Sequence, residues 1–195
     1  MKYRTILLFG APGAGKGTQG KILGAIPHFF HCACGDVFRS LTASSPLGRI
    51  FIEYTGRGEL VPDEPTVSLW RQFIGNCERT EQFNPATDML LLDGIPRNLR
   101  QAEMLDDTLD VKAIFYLHCA NFDHMVERLQ KRALKENRLD DANVEVIRRR
   151  LKVYDKETKP LLKFYGPKLV HRIDSTQSPL KVLLNILKYA NKVVS

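Results

Sequence analysis

Residues 10–18 form a glycine-rich segment that constrains the fold more than any other part of the sequence. They read Gly-Ala-Pro-Gly-Ala-Gly-Lys-Gly-Thr, after an apolar run at Tyr3–Phe9 and before a helical pattern from Lys16 onward. Glycines allow positive φ, so consecutive N–H groups can converge on phosphate oxygens at a helix start, where unpaired amides carry partial positive charge. The segment predicts a phosphate-binding loop between strand and helix, with Lys16 reaching the outer phosphates.

One position departs from the usual form of this loop. The strict pattern places Ser or Thr directly after the lysine, whereas Gly17 follows Lys16 here and Thr18 comes one residue later. An ordinary glycine-rich turn is the alternative interpretation. The lysine and the apolar residues on both sides argue against it.

The composition bounds the number of domains and the class of protein. A chain of 195 residues can fill one hydrophobic core but not two full-sized domains, so we expect one globular unit over residues 1–195. Hydrophobic residues make up 44% and charged residues 26%, which is usual for a folded protein. Because no run approaches the roughly 20 apolar residues that span a bilayer, and no signal-like segment opens the chain, we expect a cytoplasmic protein without a membrane partner.

The net charge of +7 admits nucleic acid, an anionic membrane surface or a polyanionic small molecule as partner. Many of the cations between Arg128 and Lys152 are interleaved with apolar residues at helical spacing rather than gathered in a basic tail. Together with the phosphate-binding loop, this favours a nucleotide. A nucleic-acid binder is an alternative, but no aromatic-rich platform supports it.

The cysteines are predicted to be buried free thiols. A single Cys-x-Cys pair at Cys32 and Cys34, with Cys77 and Cys119 far away, does not complete a zinc set. We therefore expect no structural zinc.

Five apolar runs are predicted to be strands. Runs of this kind are expected where a parallel sheet is covered on both faces, and helical patterns separate them, which indicates an α/β architecture. The runs are Tyr3–Phe9, Phe29–Ala33, Met89–Leu92, Val111–Leu117 and Leu169–Ile173.

Two helices are predicted from their spacing and start signals. Apolar residues at three- and four-residue spacing mark a helix from near Asp140 or Asp141 to the Pro160 region. Its marker residues are Val144, Ile147, Leu151 and Tyr154. Asp63 is predicted to cap a second helix that runs through Trp70.

A carboxylate follows the buried pattern Leu90–Leu92. At the carboxyl end of a parallel strand, beside the phosphate loop, Asp93 can hold the water shell of Mg²⁺, with Thr18 as a further candidate ligand. A helix cap or turn is the alternative role. The next residues, 94–97, bring the cation of Arg97 to the same rim, which favours the metal interpretation.

Five motifs, in order along the chain, resemble those of the adenylate kinases. They are Gly-x-Pro-Gly-x-Gly-Lys-Gly-Thr at 10–18, Cys-Gly-Asp-x-x-Arg at 34–39, Leu-Val-Pro-Asp-Glu at 60–64, Asp-Gly-Ile-Pro-Arg-Asn-x-x-Gln at 93–101 and Arg-Leu-Asp-Asp at 138–141. The resemblance implies a P-loop kinase with a five-stranded parallel sheet flanked by helices. It also implies a mobile insert at 33–62 that binds a nucleoside monophosphate and a short lid at 131–141.

The activity that the resemblance implies is reversible, Mg²⁺-dependent transfer of a phosphoryl group from ATP to AMP, giving two ADP, in a monomer. The ATP-binding residues it implies are Gly13, Ala14, Gly15, Lys16, Gly17, Thr18, Arg132 and Gln177. Those for AMP are Cys34, Arg39, Glu59, Leu60, Val61, Gly94, Ile95, Pro96, Arg97, Gln101, Arg138 and Arg150. The catalytic cations are Lys16, Arg97, Arg128, Arg132, Arg138 and Arg150.

The acceptor nucleotide and one arginine are less clearly determined. Cys34 stands where adenylate kinases usually carry Thr and pyrimidine monophosphate kinases carry Ala, and its thiol is a weak hydrogen-bond partner that predicts lower selectivity. Asn98 resembles the UMP/CMP kinases, the alternative of the same fold, whereas Gln101 suits adenine because its amide can pair bidentately. Either Arg149 or Arg150 matches the second lid-side arginine, and helix periodicity with Leu151 on the core face favours Arg150. A nucleotide-dependent switch is a remote alternative.

Overall fold

Five parallel strands lie side by side in the order β2-β3-β1-β4-β5 in the computed structural model of the chain, which describes residues 2–136, 138 and 141–194. The strands are β1 (Tyr3–Phe9), β2 (Phe29–Ala33), β3 (Met89–Asp93), β4 (Leu109–His118) and β5 (Val170–Asp174). All five predicted runs are strands of this sheet, and their ends differ from the prediction by at most two residues. The predicted α/β class is confirmed.

Helices connect the strands and cover both faces of the sheet. They are α1 (Lys16–Leu23), α2 (Cys34–Arg39), α3 (Pro46–Gly56), α4 (Asp63–Arg79), α5 (Leu99–Leu105), α6 (Phe122–Glu136), α7 (Val144–Val153), α8 (Leu161–Tyr165) and α9 (Pro179–Val194). A π-helical turn, Tyr154–Thr158, follows α7 directly. Within the described ranges, no helix is long and apolar enough to cross a membrane.

The strands read as continuous apolar runs because successive side chains point to opposite faces and both faces are buried. Leu7 and Leu92 face a core that also contains Trp70 of α4 and residues of α5, α6 and α7. Leu8 and Phe115 face the opposite core, which α1 and α9 close. Burial on both faces makes the sheet a rigid support for the loops at its ends.

The register of the sheet brings three strand ends to one edge. Asp93, the last residue of β3, lies opposite Leu8 of β1 and opposite Ala33 of β2. The glycine-rich loop leaves β1 at this edge, and α2 begins directly after β2. Ligands of open α/β sheets bind outside the carboxyl ends of the strands, so this edge is where a site is expected.

Two helix starts differ from the prediction. Asp63 does not cap α4, since Pro62 occupies the cap position; the Asp63 carboxylate instead accepts hydrogen bonds from two distant side chains. The predicted start near Asp140 or Asp141 is also wrong, because α7 begins at Val144, capped by Asn143, whose Oδ1 accepts from the backbone of Glu145 at 2.8 Å. Asp140 lies outside the described residues.

Three of the four cysteines are buried free thiols, as predicted. Cys119 is only half-buried. Cys32 lies in β2, whereas Cys34 begins α2, so the Cys-x-Cys pair spans the end of the strand.

Candidate active site

A cleft of about 760 Å³ opens at the carboxyl edge of the sheet. This volume lies within the usual range for ligand pockets. Its walls come from the glycine-rich loop, from the segment between β2 and α4, and from α6 and α7. The predicted site residues on these walls are Gly13, Ala14, Gly15, Lys16, Gly17, Thr18, Cys34, Arg39, Glu59, Leu60, Val61, Asp93, Gly94, Pro96, Arg97, Gln101, Arg128, Arg132, Arg138, Arg150 and Gln177.

Ile95 is the predicted site residue that does not line the cleft. Its side chain is fully buried in the hydrophobic core beneath β3. The adjacent Gly94 and Pro96 do line the cleft. The segment therefore borders the site, while the Ile95 side chain fixes it to the hydrophobic core.

The glycine-rich loop has the backbone conformation that phosphate binding requires. Gly13 and Gly15 have φ of +83° and +94°, in the left-handed region that favours glycine. Gly15 is also the residue before α1, and it offers no side chain to cap that helix. The N–H groups of the first turn of α1 therefore remain for a ligand.

Lys16 lies folded over this loop. Its Nζ donates to the carbonyl oxygens of Gly10 at 2.7 Å and Ala11 at 3.2 Å. The pKa of Lys16 is lowered to about 8, mainly by burial. The Asp93 carboxylate acts to raise this pKa, and nearby guanidinium groups, such as that of Arg97, act to lower it. A bound polyphosphate would provide a negatively charged partner for this ammonium group.

Asp93 is buried yet accepts no hydrogen bond at its carboxylate from the part of the chain that is described. Its exposed fraction is 9%. No cluster of three or more acidic, histidine or cysteine side chains that could hold a metal occurs among the described residues. A cation here would take most of its ligands from water and phosphate, with Asp93 and the Thr18 hydroxyl nearby, and Mg²⁺ is the ion that binds in this way. The donor set therefore fits Mg²⁺ carried by a nucleotide.

Asp141 holds two cleft arginines. Its fully buried carboxylate accepts from Nε of Arg132 at 2.7 Å through Oδ2 and from the guanidinium of Arg150 through Oδ1. Arg149 instead lies at the surface and donates to the backbone oxygen of Arg57 at 3.1 Å. The structure thus places Arg150, rather than Arg149, on the cleft wall, as the periodicity of α7 indicated.

Asp36 joins α2 to Arg138, which follows α6. Its carboxylate pairs with Arg39 on the same helix and lies 3.7 Å from the guanidinium of Arg138, which also pairs with Glu136 at 2.7 Å. Burial acts to raise the pKa of Asp36, but the hydrogen bond and charge of Arg39 outweigh it and hold that pKa below its ordinary value. Asp36 therefore stays ionised between two cations that both line the cleft.

Gln101 is held within the protein at both ends of its amide. Nε2 donates to Oδ1 of Asp63 at 2.8 Å, and Oε1 accepts from the backbone N–H of Arg97 at 2.8 Å. One amide hydrogen and one lone pair remain, which is what a bidentate contact with adenine requires. Asn98 caps α5 and donates to the carboxylate of Asp63, so both of its side-chain contacts support the loop and the helix.

At the other end of the cleft, Arg128 ties α6 to the loop before α9. Its guanidinium donates to the backbone oxygen of Ser175 at 2.9 Å. Gln177 follows in the same loop, with its side chain turned toward Asp174 at 3.4 Å. Gln177 and Ser175 both line the cleft.

Three residues of the site were missed in the sequence. Asp36 and Asp141 organise the arginines, and Thr158 bonds the backbone of Arg97. The three-residue spacing of Asp36 and Arg39 on one helix was an available signal for the first. Asp141 stands in the motif at 138–141, nine residues from each of its arginines, but that motif did not indicate its partners. The contact between Thr158 and Arg97 joins residues 61 apart in sequence, and no local pattern marks it.

A glycine-rich loop at the carboxyl edge of a parallel sheet, with arginines converging from separate helices, defines a P-loop protein that binds nucleotide phosphates. The family model described as adenylate kinase matches residues 8–170. The chain belongs to the adenylate kinase family, which confirms the resemblance of its motifs.

Individual relatives cover most of the chain. It is 40% identical over 176 residues to an adenylate kinase of Thermobifida fusca, covering 87% of this chain and 89% of the relative. An adenylate kinase of Cyanothece sp. is 41% identical over 165 residues, with 82% and 80% coverage. One from Porphyromonas gingivalis is 34% identical over 194 residues, with 96% and 95% coverage.

Proposed function

We propose that this cleft transfers the γ-phosphoryl group of ATP to AMP, reversibly, giving two ADP. The observation that carries the proposal is the meeting of a phosphate-binding loop with arginines of α2, of the loop after β3, and of α6 and α7 in one cleft. The activity is that of the family to which the chain belongs. Its relatives are named adenylate kinases, which favours AMP over the UMP/CMP alternative.

The ATP half of the site is the glycine-rich loop and α6. The amides of residues 13–18 and the Lys16 ammonium group would hold the phosphates. Arg132 would neutralise the transferring group, and Arg128 with the backbone near Gln177 would border the base. All of these line the cleft.

The AMP half is built from the insert at 33–62 and the loop after β3. Arg39 and Arg97 would grip the acceptor phosphate, for which planar guanidinium groups are well suited. Gln101 would read the base with its remaining hydrogen and lone pair. The other residues that we assign to this half are Cys34, Glu59, Leu60, Val61, Gly94, Pro96, Arg138 and Arg150, with Ile95 acting only from the core.

The reaction needs cations rather than a general base. The acceptor phosphate is already an anion at neutral pH, so no side chain has to remove a proton. Phosphoryl transfer passes through a loose state whose charge lies on the equatorial oxygens, and positioned cations stabilise that charge. Mg²⁺, when bound with ATP beside Asp93 and Thr18, would supply further positive charge at the phosphates. Arg132 and Arg150 are already oriented for this task by Asp141.

Closure of two segments would keep water from acting as the acceptor. We assign this role to the insert at 33–62 and the short lid at 131–141, because water exclusion requires the site to close after both nucleotides bind. Of the lid, residues 137, 139 and 140 lie outside the described part of the chain. The contact between Asp36 and Arg138 joins the two segments across the cleft.

A monomer in the cytoplasm suits this assignment. Free thiols at Cys32, Cys34 and Cys77 fit a reducing compartment. We assign no nucleic-acid partner.

An acceptor assay tests the proposed function. ATP with Mg²⁺ is incubated separately with AMP, CMP, UMP and GMP, and ADP formation is followed against a reaction with the Lys16→Met variant. AMP should be phosphorylated much faster than the other three. Equal or faster rates with CMP and UMP would refute the choice of AMP, and no transfer to any acceptor would refute the proposal as a whole.

A further inference from the structure

Thr158 makes an unusual hydrogen bond at the end of the π-helical turn. Its hydroxyl donates to the backbone oxygen of Arg97 at 2.7 Å, across 61 residues of sequence. The side chain is buried, with 9% exposed, and it lies at the wall of the cleft. A buried hydroxyl and a carbonyl that satisfy each other constrain both segments, because losing either partner leaves the other unpaired.

Two other helical threonines, Thr55 and Thr66, bond to carbonyls of their own helix or its cap. Thr55 donates to the carbonyl of Phe51 at 2.6 Å, and Thr66 donates to that of Pro62 at 2.7 Å. This bond to the carbonyl four residues earlier is the usual one for threonine in a helix. At Thr158 the corresponding carbonyl, that of Tyr154, accepts the N–H of Lys159 at 2.9 Å instead. At the end of this π-helical turn, the Thr158 hydroxyl bonds outside its own helix.

The partner belongs to the loop that carries a phosphate-binding arginine. Asn98 and Gln101 tie this loop to Asp63. Arg97 itself makes two other hydrogen bonds: its N–H donates to Oε1 of Gln101 at 2.8 Å, and its Nε donates to the oxygen of Gly94 at 2.9 Å. Both stay within residues 94–101. The Thr158 bond is of a different kind, since it ties the loop to the segment that follows α7.

We propose that Thr158 is a positioning residue for the acceptor phosphate, which acts by fixing the backbone of Arg97. The inference rests on the proposed function, because it takes Arg97 to be the group that grips AMP. Fixing the backbone from a separate element sets where the guanidinium reaches into the cleft. Small displacements of a phosphate-gripping group are costly for both binding and transfer.

The test compares Thr158→Val, which keeps the shape but removes the hydroxyl, with Thr158→Ser, which keeps the hydroxyl. In Thr158→Val the KM for AMP should rise by roughly tenfold, the effect of one lost hydrogen bond, while the KM for ATP stays within about twofold. Thr158→Ser should restore the KM for AMP. The KM does not depend on how much of the variant is folded, and Thr158→Ala replaces the valine variant if that variant does not fold.

A matched control removes a buried hydroxyl elsewhere. Thr5 is fully buried in β1 and donates to the oxygen of Tyr3 at 2.8 Å, away from the cleft. Thr5→Val should leave the KM for AMP unchanged even if it lowers thermal stability. A similar rise in both variants would mean that loss of stability, rather than Arg97, explains the effect, and would overturn the proposal.

A double-mutant comparison separates an indirect effect from direct contact with AMP. Adding Thr158→Val to Arg97→Ala should raise the KM for AMP no further, because the group through which Thr158 acts is gone. Additive effects would overturn the positioning role. If the unmodified protein does not phosphorylate AMP, the proposed function fails first; if it does and Thr158→Val keeps the normal KM, only this inference fails.

Discussion

The Nε atom of Arg132 donates to Oδ2 of Asp141 at 2.7 Å, and the Asp141 carboxylate is fully buried. The other carboxylate oxygen takes Arg150, and each arginine is nine residues from Asp141 in sequence. One carboxylate thus holds two cations side by side on the cleft wall. It offsets their mutual repulsion and orients them before a substrate arrives.

Replacement of Asp141 by Asn should lower both stability and activity. The change removes a buried negative charge that two partly buried arginines share, and breaking a buried ion pair in this way costs about 3 kcal/mol. We expect a loss of this size in the free energy of unfolding, measured by urea denaturation, together with slower phosphoryl transfer. The matched control is Glu53→Gln, which breaks the exposed pair of Glu53 and Arg57 and should cost less than about 1 kcal/mol. Equal losses would show that Asp141 has no special role.

Lys16→Met should abolish most turnover without unfolding the protein. The variant keeps an unbranched side chain but removes the charge from the phosphate loop, and loss of one such transition-state contact lowers kcat by about a hundredfold or more. The measurement is the kcat for ADP formation, with thermal melting as the check on folding. Lys188→Met, at an exposed position of α9, should behave as the unmodified protein. Normal turnover in the Lys16 variant would contradict its assignment.

ATP binding should weaken as the pH rises above about 8. In the free protein the pKa of Lys16 is about 8, lowered first by burial, so the ammonium group loses its proton above this pH. Because bound phosphate favours the charged form, binding must then take up a proton, and the affinity falls by up to about tenfold per pH unit. Burial raises the pKa of Cys34 to about 12, so its thiol stays neutral in this range.

Calorimetry of ATP binding between about pH 7 and about pH 9.5, in buffers of different ionisation heat, measures this proton uptake directly. The Lys16→Met variant provides the control, since it should bind ATP weakly and without the pH dependence. An affinity that stays constant up to about pH 9.5 would show that Lys16 does not meet the phosphates.

Arg138→Ala should slow transfer to AMP and increase hydrolysis of ATP. The guanidinium of Arg138 lies 3.7 Å from Asp36, a contact that joins the lid to the acceptor insert, so its loss should leave the site less well closed to water. Release of inorganic phosphate and formation of ADP from AMP are followed in parallel. Arg148→Ala, at an exposed position of α7, is the control. If Arg138→Ala changes neither rate, Arg138 is only a surface residue.

Two glycines should respond to alanine in opposite directions. Gly58 has φ of +72°, and a Cβ there would lie 2.9 Å from the backbone oxygen of Val146, so Gly58→Ala should lower the free energy of unfolding by about 1–3 kcal/mol. Gly75 lies inside α4 with open space around its Cβ position, and Gly75→Ala should stabilise the protein by about 0.5–1 kcal/mol. Urea denaturation measures both. Destabilisation by Gly75→Ala would contradict the helical propensity argument.

Features that depend on neighbours in sequence were predictable. The strands could be read because parallel strands buried on both faces are continuous apolar runs, and the glycine-rich loop because only glycine readily adopts its backbone conformation. The assignment of Arg150 to the cleft followed from helix periodicity, which places Leu151 on the core face. In each case the determining interaction lies within a few residues.

Contacts between distant segments were not predictable in this way. Asp63 looked like a helix cap, and its carboxylate instead accepts from Gln101 and Asn98, more than 30 residues away. Ile95 looked like part of the acceptor site, but the core beneath β3 encloses its side chain.

The amino-acid sequence alone therefore determined the class of fold and the phosphate loop, because local backbone chemistry and hydrophobic periodicity encode them. The set of cations was indicated by the resemblance of the motifs to those of the adenylate kinases. Only the tertiary structure decided which carboxylate holds which arginine and how Thr158 reaches Arg97. The order of strands in the sheet and the packing of helices on it set those distances, and no spacing along the chain records them.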